Sequence, residues 1–417
     1  MKLFKIIAGK RNPEITVTND DKIEAIEGVF GEEDRYNQFY GAASLAYRFL
    51  SFLMIACLLL SVIGTAFANT ESFTFENLEY IFRNFAMQLE AYEDDSIYAI
   101  KYNPDTSRSY SLYKGGLAVC GNNGIYVYSA TGRLVANEYI DFMNPVLLSG
   151  DKYLLVYDSG ANAYTVLNSF SSVFSASTKY PIMGGAIADN GYYALISSTD
   201  EYNSVVELYD SNFALINRIN KNGYITSVDI SDKHLVVTTA SVDAYGKFLS
   251  EIMIFDYMDK KEAVTAEHLS ELPIYCSLGE DSFSVITNSS AYFYDINADL
   301  IGSYSYKGES LSDFDCHNGS VLLLFKDKGF GTDHKIVCLN KDSSQAFKYE
   351  TQKTVFDIAV FNGYGYILTD DSVLRISDDE LDESKFSGGT HSTFLIAADE
   401  DSLYVCTSSE APLIDLD

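Results

Sequence analysis

From about Ile97 to the C-terminus, short apolar runs alternate with Gly, Asn, Asp and Ser turns. Leu117-Ala118-Val119-Cys120, Tyr192-Tyr193-Ala194-Leu195-Ile196 and Val321-Leu322-Leu323-Leu324 are typical. Runs this short, closed by turn residues, predict buried β-strands rather than helices. Two markers recur. An aromatic-Asp pair ends a strand in Leu208-Tyr209-Asp210, Phe293-Tyr294-Asp295 and, more loosely, Ile254-Phe255-Asp256. A small or Asx-Gly turn precedes an apolar run at Ser149-Gly150-Asp151, Asp189-Asn190-Gly191, His317-Asn318-Gly319 and Asn362-Gly363, where Asn-Gly suits the positive φ angles of two-residue hairpins.

Aligning both markers gives units starting near Tyr110, Pro145, Ile182, Ile225, Ile274, Phe314, Phe356 and Phe394. A period of about 35 to 50 residues, with room for four strands, predicts an all-β fold: a β-propeller of four-stranded antiparallel sheets. The count gives eight blades, with seven as the alternative. The last unit has room for only three strands before the chain stops at Asp417. Ser96–Tyr102 precedes the first unit and is placed to supply the missing outer strand, which would close the ring and remove exposed edges.

Upstream the pattern changes. No residue from Phe49 to Thr70 is charged, and about 20 apolar residues are what an α-helix needs to cross hydrocarbon. Residues 49–70 are therefore expected to be a transmembrane signal anchor in the lipid bilayer. Ala66-Phe67-Ala68 fits a cleavage site, so removal after Ala68 is the alternative. Lys2, Lys5, Lys10, Arg11, Lys22, Arg35 and Arg48 precede the segment, whereas Arg83 is the first basic residue after it. The positive-inside rule puts residues 1–48 in the cytoplasm as a tail and the rest outside. Within the juxtamembrane stretch 71–95, Phe75, Leu78, Phe82, Phe85 and Leu89 step by three and four, which predicts a short amphipathic helix. Residues 96–417 are expected to form the extracytoplasmic propeller.

Composition sharpens this picture. The chain has 32 Tyr, 26 Phe and no Trp, and a formal charge of −30. Such a charge repels phosphate backbones and argues against nucleic acid as a partner. Past Cys57, in the hydrophobic segment, the cysteines are Cys120, Cys276, Cys316, Cys338 and Cys406. This odd, irregular set is not a disulfide framework and reads mainly as buried thiols. Cys276 and Cys316 occupy similar places in neighbouring repeats, which leaves one bridge open.

Phe75-Glu76-Asn77-Leu78-Glu79-Tyr80, Leu112-Tyr113-Lys114-Gly115-Gly116-Leu117-Ala118-Val119, Lys152-Tyr153-Leu154-Leu155-Val156-Tyr157-Asp158 and Asn168-Ser169-Phe170-Ser171 resemble a family of Gram-positive bacterial proteins of unknown function. The resemblance implies a cytoplasmic tail, one membrane helix and an outer propeller, and brings no catalytic residues with it. The aromatic-Asp turns are more distantly similar to WD-like and quinoprotein-like (PQQ-like) repeats. The absence of Trp departs from both.

No catalytic constellation emerges. The five histidines, His234, His268, His317, His334 and His391, form no zinc-ligand spacing, and no nucleophile elbow or phosphate loop is present. Gly329-Phe330-Gly331 lacks a following helix. Acidic clusters at Thr369–Ser372, Asp378–Glu380 and Asp399–Asp401 lack the spacing of a calcium loop. No cofactor is expected. The resulting expectation is a non-enzymatic, membrane-tethered module that binds a protein, peptide or glycan of the cell envelope. Its candidate contacts are Phe142, Met143, Lys179 and Tyr180, on strand-linking segments that border one rim, with Glu271-Leu272-Pro273 a third such segment. The alternatives are an extracytoplasmic hydrolase or lyase using channel carboxylates, and a transmembrane sensor whose tail relays binding.

Overall fold

The computed structural model describes residues 47, 49–54, 99–102, 108–130, 132–259, 263–326, 333–378, 380–385 and 392–416. Eight four-stranded antiparallel sheets follow one another, strands in sequence order within each, apart from the last. The first strands of successive sheets lie against one another and make the inner wall of the ring. These inner strands are Arg108–Tyr113, Pro145–Ser149, Gly184–Ile187, Tyr224–Ile230, Pro273–Leu278, Ser310–His317, Val355–Phe361 and Ser392–Ala397. They define blades 1 to 8, and each expected unit start falls in or beside one of them.

Burial follows from position in the blade. The second strand is covered by neighbouring blades on both faces, so Gly116–Gly121, Leu154–Asp158 and Ser282–Thr287 are buried along their whole length. This is why those strands read as continuous apolar runs rather than alternating ones. The outermost strand of blade 3, Leu215–Lys221, is largely exposed. The core lies between blades: Ala194, Ile196, Val206 and Leu208 of blade 3 pack on Val228, Ile230, Leu235 and Val237 of blade 4. In the absence of Trp, paired rings fill the wider gaps, as where Tyr193 stacks on Tyr209 at 4.8 Å and Phe174 on Phe213 at 4.7 Å.

Closure occurs as the sequence suggests. Ala99–Lys101 pairs antiparallel with Glu410–Asp415 as the outer strand of blade 8, in the register Ala99↔Pro412 and Lys101↔Glu410. Ile100 is buried with Tyr404, Cys406, Leu117 and Val119, which seals blade 8 to blade 1. The Tyr102 hydroxyl donates to Thr407 O at 2.8 Å and Glu410 O at 3.0 Å. Tyr306 does the same in blade 5, reaching Thr287 O at 2.6 Å and Ser290 O at 3.1 Å. In both blades the Thr Oγ1 also accepts from the backbone N–H three residues on, as in Ser290 N to Thr287 at 2.9 Å and Glu410 N to Thr407 at 3.0 Å.

The two sequence markers have physical roles. Asn318-Gly319 and Asn362-Gly363 have both residues at positive φ (46° and 83°, 47° and 84°), as two-residue hairpins require. At Asp189-Asn190-Gly191 only the glycine does, so that turn is longer. In the aromatic-Asp motif, Asp210 Oδ1 accepts from Asn212 N and Ala214 N, both at 2.9 Å, and Asp295 Oδ1 accepts from Asn297 N and Asp299 N at 2.9 and 2.8 Å. Each carboxylate holds together the turn into the outer strand, which compensates the left-handed Phe213 and Ala298 inside it.

Tyr47 and Phe49–Met54 are helical and exposed. The remainder of the expected membrane segment 49–70, most of the tail 1–48, the amphipathic stretch within 71–95 and Gly329–Gly331 lie outside the described residues. Among the described residues no helix is long and apolar enough to cross a membrane.

Candidate binding face and channel

Strands alternate in direction, so every inner strand starts on the ring face that carries the blade-to-blade linkers. The hairpins between first and second strands lie on the opposite face. The four expected contacts sit in consecutive linkers on the first of these faces. Met143 is 78% exposed. Phe142, by contrast, is half-buried against the core between blades 1 and 2. Their linker is fixed by its backbone: Met143 N and Asn144 N donate to the Asp158 carboxylate at 3.1 and 2.7 Å, and Asn122 Nδ2 donates to Phe142 O and Met143 O at 3.0 and 2.8 Å. In the next linker, Lys179 Nζ lies 4.7 Å from the Tyr180 ring centroid and 3.1 Å from Asp200. That contact covers the ring, so Lys179 rather than Tyr180 is the more open group.

The same face carries exposed apolar groups that the sequence reading passed over. Met183, Tyr224, Ile274, Tyr275, Phe356 and Phe394 lie at or just before inner-strand starts, and Tyr245 tips a hairpin of blade 4. Ladder irregularities at Pro273/Tyr275, Val355/Asp357 and Ser392/Phe394 account for several of them. An extra residue there breaks the two-residue alternation and turns side chains such as Ile274 and Phe356 out of the core.

Below the rim, each inner strand has one edge with no strand partner, facing the channel. In blades 2, 5, 7 and 8, side chains of the preceding blade supply acceptors for the inner strand's amides. Asp229 Oδ2 accepts from Leu278 N at 2.7 Å, Asp315 Oδ2 from Val360 N at 2.7 Å, and Asp357 Oδ2 from Leu395 N at 2.6 Å. Ser109 and Ser227 do the same for Leu147 N and Cys276 N, at 3.0 and 3.2 Å. Among the described residues, Asp313 accepts only from the adjacent Phe314 N, at 2.9 Å. A cavity of about 550 Å³ opens among Tyr110, Asp313, Asp315, His317, Asp357 and Phe394.

Burial dominates the electrostatics of this wall. It pushes Asp357 up to about 7. The Leu395 amide pulls the other way, and repulsion from Asp313 and Asp315 adds to the rise. Burial likewise raises Asp229 to about 6, against the Leu278 and Ile230 amides. Asp313 and Asp315 are raised for the same first reason. Burial lowers the pKa of His317, whose ring stacks on Phe361 at 4.6 Å.

A larger cleft of about 670 Å³ lies at blade 6 beside Glu309, Lys326, His334 and Lys335. Glu309 there is already held by Lys335 at 2.9 Å, and Nδ1 of His334, which has no hydrogen-bond partner among the described residues, is sealed from the cleft. Among the described residues no three His, Cys, Asp or Glu side chains are placed to hold a metal. The acidic loops serve as turns: Asp399 Oδ1 accepts from Asp401 N and Ser402 N at 2.9 and 2.7 Å, and Asp371 pairs with Lys353 at 3.2 Å. Cys120, Cys276, Cys316, Cys338 and Cys406 are free thiols, so Cys276 and Cys316 are not bridged.

Residues 88–416 match the model of a family of unknown function, DUF5711, and the chain belongs to that family. No curated protein matches. Among solved structures, the computationally designed Ika8 protein has a TM-score of 0.54 at 10% identity, covering 75% of this chain and all of its own. BamB from Moraxella catarrhalis has a TM-score of 0.51 at 9% identity, over 76% and 98%. Sqt1 from Saccharomyces cerevisiae has a TM-score of 0.51 at 10% identity, over 76% and 97%. At these identities the likeness concerns the propeller fold alone.

Proposed function

We propose that this member of the DUF5711 family is a non-enzymatic binding module, tethered to a bacterial membrane through residues 49–70 and recognising a protein, peptide or glycan of the cell envelope with the linker face of its ring. The observation that supports this reading is the crown of exposed Met, Tyr, Ile and Phe side chains around the channel mouth. Exposed apolar groups gathered on one rigid face are characteristic of recognition surfaces. The hydrolase alternative needs a carboxylate free to act. Asp229, Asp315 and Asp357 instead spend an oxygen on the neighbouring blade's backbone, which leaves Asp313 as its best candidate.

The test is cross-linking on intact cells expressing the full chain. Capture should fall when Met143 and Met183 are both replaced by Glu, and should persist when Lys233, on the opposite face, is changed. Equal capture by all three proteins would overturn the reading. A protease site inserted at Gly246 should be cut on intact cells, and protection there would overturn the outside location.

A further inference from the structure

Blade 4 departs from its neighbours. Its second and third strands, His234–Val242 and Phe248–Asp256, have nine residues each, against five to seven for the second and third strands of the other blades. The first strand of the blade pairs with the second only as far as Tyr224↔Ala240, and the fourth pairs with the third only as far as Ser250↔Leu269. The pairs Ser241↔Leu249 and Val242↔Phe248 therefore lie beyond both ladders, as a two-stranded ribbon rising from the linker face. Its turn is well built: Asp243 Oδ1 accepts from Tyr245 N at 2.9 Å and Lys247 N at 2.8 Å, and Asp243 N donates to Lys247 O at 2.9 Å. This ordered turn holds Tyr245 96% exposed at the tip. Val242 on the ribbon, Tyr224 at its foot, Met183 on blade 3, and Leu272 and Ile274 on blade 5 extend the apolar surface to either side.

The charges bordering this arc decide what fits it. Lys179 is held by Asp200 at 3.1 Å and Lys221 by Glu251 at 2.9 Å. Glu201, Asp243 and Glu271 then outnumber the remaining Lys247. The whole chain carries −30, so long-range attraction selects a basic partner and repels an acidic one. An exposed Tyr on a short, hydrogen-bonded turn is pre-organised, and it loses little side-chain freedom on contact.

We propose that the blade 4 ribbon and its flanks dock a protein surface that presents apolar anchors bordered by Lys or Arg, with Tyr245 as the principal contact. This rests on the binding function proposed above and narrows its partner to a basic protein.

The experiment places a photo-crosslinking residue in the full chain on intact cells, either at position 245 or, as a control, at position 233 on the opposite face. The purified full chain is then titrated with three sets of synthetic peptides: Lys with Phe or Leu, Glu with Phe or Leu, and Lys alone. The expected result is a cross-link from position 245 to a protein segment rich in Lys or Arg and apolar residues. Only the first peptide set should bind, weakening about tenfold between low and moderate salt and about tenfold in Tyr245→Ala. Tyr245 touches no core, so loss of folding does not confuse the result, and an unchanged Tm checks this. Cross-links from position 233 alone, or an acidic captured segment, would overturn the proposal and leave the broader binding function standing. No cross-link from either position, with no peptide set bound, would overturn both.

Discussion

Replacing Asp357 with Asn isolates one charge on the channel wall. The amide oxygen can still accept the Leu395 N–H that Asp357 Oδ2 holds at 2.6 Å, while the charge is gone. Burial lifts the wild-type carboxyl from 3.8 to about 7. At about 1.4 kcal/mol per unit, keeping it ionised in the folded ring costs about 4 kcal/mol. The group is half-buried and keeps contact with channel water, so about 2 to 4 kcal/mol is expected. The sign follows from the raised value. Below about pH 4 the carboxyl is protonated in both states and imposes no penalty. Between pH 4 and 7 the unfolded chain releases the proton while the folded ring retains it, so stability falls. Above pH 7 the loss is complete.

The assay is denaturant unfolding of wild type and Asp357→Asn, full chain in detergent, at pH 5, 6, 7 and 8. Self-repulsion from the charge of −30 weakens both proteins as pH rises, so the informative quantity is the difference between them. That difference should shift in favour of the variant by about 1 to 2.5 kcal/mol from pH 5 to pH 8, the rest of the penalty being already present at pH 5. Parallel curves would refute the assignment. Asp229→Asn should show a smaller shift centred about one pH unit lower, because Asp229 is raised only to about 6. Asp313 and Asp315 face Asp357 and also carry raised values, so Asp313→Asn should lower the midpoint of the wild-type profile.

Tyr102→Phe removes a donor shared by Thr407 O and Glu410 O and should cost about 1–2 kcal/mol in chemical denaturation; Tyr306→Phe should cost a similar amount. Gly150→Ala would drive a Cβ into Ala188 O of the next blade, and a Tm lowered by several degrees, from about 1–3 kcal/mol, is expected. Burial raises the Cys276 and Cys406 thiols and pushes Cys338 up to about 12. These thiols should therefore resist alkylation in the native protein and react once it is unfolded, as followed by intact mass.

The repeat was legible because its turns impose sharp chemical demands. Asn362-Gly363 fits a pair of positive φ angles, and Tyr209-Asp210 ends a strand where a carboxylate must hold a turn. Closure by a strand just before the first unit, seen as Ala99–Lys101, was legible from arithmetic alone, since the last unit lacked one strand. A third marker went unread: Thr287-Asn288-Ser289-Ser290, Thr369-Asp370-Asp371-Ser372 and Thr407-Ser408-Ser409-Glu410 are the same hydroxyl-capped turn in three blades. Polar tetrads of this kind pass for generic loops. The rim was harder still. Phe142 looked like a contact and is half-buried against the core, while Ile274, read only as the start of a repeat unit, is exposed. The extra residue at Pro273/Tyr275 reverses the facing of its neighbours, and nothing in the local composition announces it.

The channel carboxylates owe their placement to the closed ring. Asp229, Asp315 and Asp357 each stand in an inner strand, and a sequence does not distinguish a carboxylate that holds backbone from one free to react. The geometry of the ring gives each of them a backbone partner. Closing the sheet order hides the outer problem of blade 8 but leaves eight inner edges whose amides face a narrow channel. An unpaired buried amide costs about as much as a lost hydrogen bond, and a side-chain oxygen from the preceding blade is the nearest acceptor. The carboxylates thus join blade 4 to blade 5, blade 6 to blade 7 and blade 7 to blade 8. The same burial that makes these links useful raises all three pKa values, that of Asp229 to about 6 and that of Asp357 to about 7. A ring held together in this way should loosen at its inner wall first as pH rises, with its apolar seams between blades unaffected.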